Sequence, residues 1–527
     1  MTASRSGIPL RDFYGPPAGV AVPSEVPGTY PYTRGRHRPA QAGNGWIHRE
    51  LSGEGNARRS NEQIKYLIGI GQMGVDVIGD SPTQSMLDPD HPLVKNSVGT
   101  QGVSLCCSQD YLDLYAGIPF DKASVSSSVP SVFSMTGLCI ALREGRFPLD
   151  RARGSVLQAP LYAEDCSYST GMPHTLVNRL ALDGMSFAAK YMPRFHAYVE
   201  DTYFFSETGL TGVEEMALGF VEIRHLARSL IARGLPADSF APRIAILVNC
   251  SMDLFEEIAK IRATRRLFAR MMKEEFGAKD PRSLSAAISA HTSGLTLTAQ
   301  QPANNIVRGT VQGMALALAG VQAMEVSAFD EGFRTPSAEA HMVGIRTQQI
   351  LELESGIARV ADPLGGSYFV EALTDEMEHA IWQMTLDIEA QGDPLALAAQ
   401  GHFRKLFEQA SVRHFRSISS GDVKVVGVNC HKVADDEDKL LRDISERKIV
   451  PDRQRIEEVR KFRKERNQDP VNRALRRLHD AVATDENLIP LVIETYDAGA
   501  TMGEMAGAMR LASGRSYDPH GQMKPTF

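Results

Sequence analysis

The sequence predicts an α/β protein, a (β/α)8 TIM barrel with an extended N-terminal arm and a C-terminal helical region. Two observations lead to this fold class. Short apolar stretches alternate with amphipathic helical stretches from Gln72 onward, and the alternation stops near residue 395. Eight strands are expected, at Gly74–Asp80, Ala123–Val129, Gly154–Pro160, Ala197–Tyr203, Arg243–Cys250, Ser285–His291, Ala323–Phe329 and Gly356–Asp362.

The predicted barrel spans residues 46–395 and lies between two regions of different composition. Residues 1–45 are rich in proline, glycine and tyrosine without a sustained apolar period, which is typical of an extended arm. Residues 396–527 are expected to form a helical connector region, and the charge run at Arg453–Arg466 is interpreted as a solvated helix face. Within the barrel, Met252–Glu275 has the apolar spacing of a helix that packs against the strands.

The composition is that of an ordinary soluble globular protein, with 527 residues and a formal net charge of −7. This acidic balance argues against a nucleic-acid partner, which requires clustered Lys and Arg. No apolar run is long enough to cross a bilayer and the N-terminus lacks the apolar core of a signal peptide, so we expect a cytoplasmic protein without a membrane partner. The six cysteines show no metal-binding or disulfide spacing, which predicts reduced thiols and no metal site.

The most informative stretch is ESGIARVADPLGGSYF at residues 354–369. It reads as an apolar strand that ends in Asp362, followed by Gly365 and Gly366, which let the backbone pass close to a ligand. Three further strings accompany it: SAFDEGFRTPS from Ser327, HTSGLTLTAQQPANN from His291 and IAKIRATRRLF from Ile258. Together these strings resemble the adenosylcobalamin-dependent acyl-CoA mutases, the family of methylmalonyl-CoA mutase and of the large subunits of isobutyryl-CoA and 2-hydroxyisobutyryl-CoA mutases.

The resemblance implies adenosylcobalamin as cofactor and assigns residues around its adenosyl group. Glu331 matches the glutamate that holds the ribose hydroxyls, and Tyr203 matches the tyrosine beside the cobalt–carbon bond; both are candidate catalytic and cofactor-binding residues. Asp362, Gly365 and Gly366 are the other candidate cofactor-binding residues. From the residues alone, a helix N-terminal acid at Glu331 and a core aromatic at Tyr203 stay open as alternatives.

The substrate site implied by the resemblance departs from that of methylmalonyl-CoA mutase. The residues expected to bind substrate are Arg49 and Arg243 for the CoA phosphates, and Leu51, Ser126, Leu157, Ser167, Phe204 and His291 for the acyl part. Phe204 and Leu157 replace a histidine and a glutamine that contact the thioester carbonyl, and Ser167 replaces the arginine that grips the free carboxylate. Leu51 replaces a tyrosine, and His291 replaces a glutamine as either a new polar contact or a structural histidine.

The resemblance also implies partner proteins. The family's cobalamin-binding domain carries a DxHxxG motif, whereas the nearest string here, Asp518-Pro-His520-Gly, has its glycine too early. We therefore expect no cobalamin-binding domain in this chain and a separate small subunit that binds most of the cofactor. A GTPase chaperone and a barrel homodimer within a heterotetramer are further expectations.

The sequence thus predicts a cobalamin-dependent isomerase, the large subunit of a mutase that rearranges the carbon skeleton of a branched acyl-CoA without a free carboxylate. Two alternatives remain at this point. The barrel could be a catalytically degenerate scaffold for the cobalamin subunit, because both carbonyl contacts are lost at Phe204 and Leu157. It could also be a cobalamin radical enzyme with an atypical substrate.

Overall fold

The computed structural model describes residues 25–38, 45–166, 169–434, 437–446 and 449–527. Eight of its strands close into a barrel in the order β1-β10-β9-β8-β7-β6-β5-β3, and two short strands, β2 and β4, form a separate parallel pair. The strands are β1 Ile47–Ser52, β2 Gly55–Asn56, β3 Gly74–Val77, β4 Val103–Ser104, β5 Ser124–Ser127, β6 Gly154–Gln158, β7 Phe195–Asp201, β8 Ile244–Cys250, β9 Ala287–Thr292 and β10 Ala323–Glu325. The predicted (β/α)8 fold is confirmed.

Helices follow most of the barrel strands and make up the C-terminal region. They are α1 Ala57–Gly69, α2 Ser81–Gln84, α3 Ser108–Tyr115, α4 Ser131–Glu144, α5 Ala163–Cys166, α6 His174–Tyr191, α7 Thr202–Ser206, α8 Gly212–Ala232, α9 Ala237–Phe240, α10 Leu254–Arg270, α11 Pro281–Leu284, α12 Asn304–Ala319, α13 Ala338–Leu353, α14 Tyr368–Glu389, α15 Pro394–Ala399, α16 His402–Ser420, α17 Lys439–Ser445, α18 Arg453–Glu465, α19 Gln468–Ala481, α20 Leu488–Asp497 and α21 Met502–Ala512. Among the residues described, none of these helices combines the length and apolarity needed to cross a membrane.

Seven of the eight predicted strands are present, and the eighth was assigned to the wrong segment. The prediction of a strand at Gly356–Asp362 is wrong: Ile357–Arg359 forms a 3-10 turn, and both Gly356 and Asp362 have positive φ, at 76° and 47°. Strand geometry requires negative φ, so this segment cannot join the sheet. The eighth strand is β1, which pairs in parallel with β10 through Ile47 and Ala323.

By its internal contacts the chain divides into two units, each described separately. Of the described residues, the first unit contains those within 1–50, 200–394 and 405–446, and the second contains those within 51–199, 395–404 and 447–527. The first unit holds β8, β9 and β10 and the helices α10 and α14. The predicted helix at Met252–Glu275 is confirmed as α10, which is followed by a π-helical turn at Met271–Glu275.

In the first unit, α10 is buried along its whole circumference rather than along one stripe. Every residue from Glu257 to Ala269 is buried, including Lys260, Arg262, Arg265 and Arg266. A helix that is buried on all sides must pair its charged groups. The described part of the N-terminal arm supplies partners, since Arg266 Nε donates to Thr33 Oγ1 at 3.0 Å.

In the second unit, the charge run of α18 is not a simple solvated face. Arg455 is buried and donates to Asp110 Oδ2 at 2.5 Å, and Arg466 Nη1 donates to Glu504 Oε2 at 2.7 Å. The expectation of a solvated face is therefore wrong for these two arginines, because ion pairing satisfies them inside the unit. The middle of the same helix does carry exposed charges, such as Arg460.

Candidate functional site

The candidate site, which lies within the first unit, starts from the short helix α7 at the carboxyl end of β7. Asp201 ends the strand, and its side chain accepts a hydrogen bond from Phe204 N at 3.2 Å, which caps the helix. The turn therefore places Tyr203 and Glu207 at the end of the barrel where active sites of this fold lie. Asn249 and His291 occupy the corresponding ends of β8 and β9.

His291 and Glu325 form a buried contact next to Tyr203. The two residues are aligned on neighbouring strands, and His291 Nε2 lies 2.8 Å from Glu325 Oε2. Glu325 is fully buried, and the imidazole ring lies 4.5 Å from the Tyr203 ring, centroid to centroid, with a tilt of 34°. Burial raises the pKa of the Tyr203 phenol well above its usual range, and the charges of Glu207 and Glu331 add to the effect. Tyr203 is therefore held as a neutral phenol against the histidine.

Glu207 is held by three hydrogen-bond donors. Its carboxylate accepts from Ser293 Oγ at 2.6 Å, from Leu295 N at 2.9 Å and from Asn249 Nδ2 at 3.0 Å. Burial raises the pKa of Glu207, while these donors work to lower it. The three donors fix the carboxylate in one orientation.

Glu331 brings a second carboxylate to the site from the turn after β10. Burial, together with the nearby charge of Glu325, raises its pKa to about 7, although His291 opposes the rise. Its Oε2 atom is buried and accepts no hydrogen bond from the described residues. A buried oxygen of this kind is costly unless a bound ligand supplies a donor. Hydroxyl groups of a ribose would supply such donors, so this carboxylate fits the adenosyl group implied by the family resemblance.

Glu50 extends the same acidic region towards α13. Its Oε1 lies 2.8 Å from His341 Nδ1, and its pKa is raised well above the usual range by burial, with contributions from Glu325, Glu331 and Asp330. Several carboxylates that share one buried region cannot all ionise at low cost. The site is therefore suited to hold protons and to accept hydrogen bonds from neutral ligands.

The structure brings Tyr203, His291 and Glu331 together, but Asp362 and the two glycines make their contacts elsewhere. Asp362 pairs with Arg34 at 3.0 Å and with Arg262, and a Cβ on Gly365 would lie 2.2 Å from Arg34 Nη1. Gly366 N donates to Glu371 Oε1 at 2.9 Å. This segment joins the arm, α10 and α14. Its role in cofactor binding stays a prediction.

The two predicted CoA-binding arginines differ in position: one lies within a barrel strand and the other lies just before one. Arg49 is a buried residue of β1, whose carbonyl accepts a hydrogen bond from Gln348 Nε2. Arg243 precedes β8, so it lies at the amino end of that strand, opposite the end that carries Asn249. Burial and the nearby Arg282 lower the pKa of Arg243.

The remaining predicted substrate residues are placed as follows. Phe204 is half-buried in α7, one residue from Tyr203. In the second unit, Leu51 and Leu157 are half-buried in β1 and β6, and the buried Ser126 Oγ lies 2.6 Å from Ser155 Oγ. Ser167 lies outside the described residues. Their contacts with an acyl group stay predictions.

Sequence reasoning missed four charged residues in and below this site. They are Glu207, Glu215, Lys260 and Glu325. Glu207 could have been found, because it follows Tyr203 by four positions and a helical turn would place both on one face. The others gave no local signal of a shared site, since Glu215 and Lys260 are 45 residues apart and Glu325 meets His291 from a neighbouring strand.

The comparisons with known proteins define the class. The sequence model of the methylmalonyl-CoA mutase family matches residues 3–515 of the chain. The chain therefore belongs to the methylmalonyl-CoA mutase family, a family of cobalamin-dependent isomerases.

Individual relatives extend the comparison. The chain is 35% identical to the 2-hydroxyisobutanoyl-CoA mutase large subunit of Aquincola tertiaricarbonis, over 92% of this chain and 86% of the relative. It is 32% identical to the methylmalonyl-CoA mutase of Cereibacter sphaeroides, over 97% of this chain and 72% of that enzyme. The human mitochondrial methylmalonyl-CoA mutase is 31% identical, over 96% of this chain and 68% of its own length.

Proposed function

We propose that the chain is the large, substrate-binding subunit of an adenosylcobalamin-dependent acyl-CoA mutase that rearranges the carbon skeleton of a branched acyl-CoA without a free carboxylate. The observation that carries the proposal is the buried carboxylate of Glu331, whose Oε2 accepts no hydrogen bond from the described residues and lies close to Glu325 and His291. Family membership supports the reaction class.

Adenosylcobalamin, when bound, supplies a carbon radical through homolysis of its cobalt–carbon bond. In this proposal the chain's own residues hold and shield the reacting groups. Glu331 accepts hydrogen bonds from the ribose hydroxyls, which replaces the missing donors at its buried oxygen. Tyr203, packed on His291, limits the space beside the adenosyl group and excludes water.

Most of the cofactor is proposed to arrive on a separate small subunit. The support is the relative from Aquincola tertiaricarbonis, which is named a large subunit and is covered over 86% of its length. A GTPase chaperone, a barrel homodimer within a heterotetramer and a cytoplasmic location complete the proposal.

The anionic CoA end is proposed to bind at the amino end of β8. Burial and the neighbouring Arg282 lower the pKa of Arg243, and burial together with Arg262 and Arg36 lowers the pKa of Arg265 to about 10. Cations that are buried and repel one another are stabilised by a bound polyanion. Guanidinium groups also match the geometry of phosphate oxygens.

The acyl specificity rests on substitutions relative to methylmalonyl-CoA mutase. Phe204 and Leu157 offer apolar surface where that enzyme has polar contacts, and Ser167 cannot form a bidentate pair with a carboxylate. An apolar branched acyl group therefore binds better than a dicarboxylic one. The scaffold alternative is not favoured, because a scaffold has no need for the buried charges that surround Tyr203.

The experiment mixes the purified chain with its candidate cobalamin subunit and adenosylcobalamin, and then adds a panel of acyl-CoAs. Cob(II)alamin absorbance and isomer formation are followed together. Isomerisation of a branched monocarboxylic acyl-CoA is the expected result. Faster turnover of methylmalonyl-CoA would refute the specificity, and a stable complex without turnover across the panel would refute the mutase proposal in favour of a scaffold or an atypical substrate.

A further inference from the structure

A buried ion pair lies beneath the candidate site and takes no part in the function proposed above. Lys260 of α10 donates to Glu215 Oε2 of α8 at 2.8 Å, and both side chains are almost fully buried. Lys260 also lies 2.6 Å from Glu257 Oε2. Although burial works to lower the pKa of Lys260, the two carboxylates raise it above its usual value, so the ammonium stays charged.

The pair contacts the backbone of Asn249 from two sides. Glu215 Oε1 accepts a hydrogen bond from Asn249 N at 2.9 Å, and Lys260 Nζ donates to Asn249 O at 2.8 Å. The side chain of Asn249 in turn donates to Glu207 Oε1 at 3.0 Å. The ion pair therefore fixes the residue that orients the Glu207 carboxylate.

Glu215 also holds the helix that carries Tyr203 and Glu207. Thr202 Oγ1, at the first position of α7, donates to Glu215 Oε1 at 2.8 Å and lies 2.9 Å from Leu247 O. Ser206 Oγ, at the last position of α7, lies 3.4 Å from Glu215 Oε2. One carboxylate thus contacts both ends of α7 and the carboxyl end of β8.

A contribution to the stability of the fold does not explain why this buried ion pair is present. Removing two charges from water costs several kcal/mol per ion, and an apolar pair of similar volume is often as stable. Its contacts are instead directed at polar groups that set the geometry of α7 and Asn249. Precise geometry of such groups is what a radical site requires.

We propose that Glu215 and Lys260 are positioning residues of the mutase: they hold α7 and Asn249 so that Tyr203 and Glu207 face the reacting groups. The expected effect on kcat rests on the proposed function, because it requires that the chain act as a mutase. The fixed position of α7 does not depend on that function and is tested separately.

The test replaces the ion pair by an apolar pair, Glu215→Met with Lys260→Met. A second variant, Thr202→Val, removes only the hydroxyl that joins α7 to Glu215 and keeps the side-chain shape. The matched control breaks another buried ion pair of the same unit, with Arg224→Met and Glu389→Gln, which has no contact with α7 or Asn249 among the contacts described.

The double methionine variant is expected to lower kcat about 100-fold, because misplacement by about 1 Å has an effect of this size. The KM for acyl-CoA should change less than about threefold, since the altered groups position residues of the reaction site and do not contribute to uniform binding of the substrate. Thr202→Val should lower kcat about tenfold, and the control should leave it within about twofold. A double variant with unchanged kcat, or with a loss that the control reproduces, would overturn the inference.

Hydrogen exchange of the isolated chain provides the independent measurement. Amides of Thr202–Ser206 should exchange at least about tenfold faster in the double variant, with no such change in the control. If the wild-type complex isomerises no acyl-CoA, the proposed function fails, but the exchange result still decides whether the pair fixes α7. Equal exchange in the wild type and the double variant would overturn the positioning role by itself.

Discussion

Glu331 offers a test of the site that requires neither cofactor nor substrate. Its pKa is raised from 4.5 to about 7, chiefly by burial, so the folded protein binds this proton more tightly than the unfolded chain does. Between pH 4.5 and 7 the folded state therefore loses stability as the pH rises. A shift of this size corresponds to about 3 kcal/mol at about 1.4 kcal/mol per pKa unit.

Glu331→Gln removes the titrating group and keeps the side-chain shape. The variant should match the wild type near pH 4.5 and become the more stable protein by up to about 3 kcal/mol at pH 8. If the chain unfolds as one unit, an unfolding entropy of about 2.1 cal/mol/K per residue converts this gain into about 3 °C in the thermal midpoint.

The assay is thermal unfolding of both proteins from pH 4.5 to 8, with Glu376→Gln as the control because Glu376 is an exposed residue of α14. Only the Glu331 variant should show a difference from the wild type that grows with pH. A difference that is constant across this range would refute the raised pKa, and with it the argument that Glu331 is a buried acceptor prepared for a donor.

Three further predictions concern the site and its surroundings. Gly294→Ala should lower turnover about tenfold with little change in thermal midpoint, because the added Cβ would lie 2.8 Å from Glu207 Oε2 and displace that carboxylate; unchanged kcat would contradict this. Phe204→His combined with Leu157→Gln should lower the native turnover about tenfold or more, because each change introduces a polar group at a position predicted to contact the acyl group; a large gain in ordinary acyl-CoA mutase activity would instead indicate an eroded enzyme. Asp362→Asn should destabilise the chain by about 3 kcal/mol through its lost ion pairs, as measured by denaturant unfolding; unchanged stability would contradict this, and weaker adenosylcobalamin binding by the folded variant would support its predicted cofactor role.

Barrel strands that are apolar on both faces could be predicted from the sequence. All seven residues of β8 are buried, and its sequence IAILVNC contains the continuous apolar run expected of a covered parallel strand. Strand β1 could not be predicted this way, because its sequence IHRELS is polar. Its buried polar side chains have partners that are distant in the sequence: His48 Nε2 lies 2.8 Å from Glu352 Oε2.

Residues of the site could be predicted where several neighbouring residues together resembled the sequence of the mutase family. His291 and Glu331 lie in such strings of residues, Tyr203 lies in EDTYFFSETG at residues 200–209, and the structure brings the three residues together. Glu215 and Lys260 are 45 residues apart, and nothing in either local sequence shows that their charges meet in a buried pair. Long-range pairing of buried charges is a property of the folded chain and leaves no local pattern.

The polar character of β1 also has a consequence during synthesis on the ribosome. Gln348, which donates to the carbonyl of Arg49, is translated 299 residues later. At a translation rate of about 5–20 residues per second, about 15–60 seconds pass between the synthesis of Arg49 and that of Gln348. Strand β1 cannot form its contacts with β10 and Gln348 before both have been synthesised. An apolar strand exposed for that time would be an aggregation hazard, whereas charged residues discourage pairing with other chains. The buried charges of β1 thus protect the nascent chain before they contribute to the folded barrel.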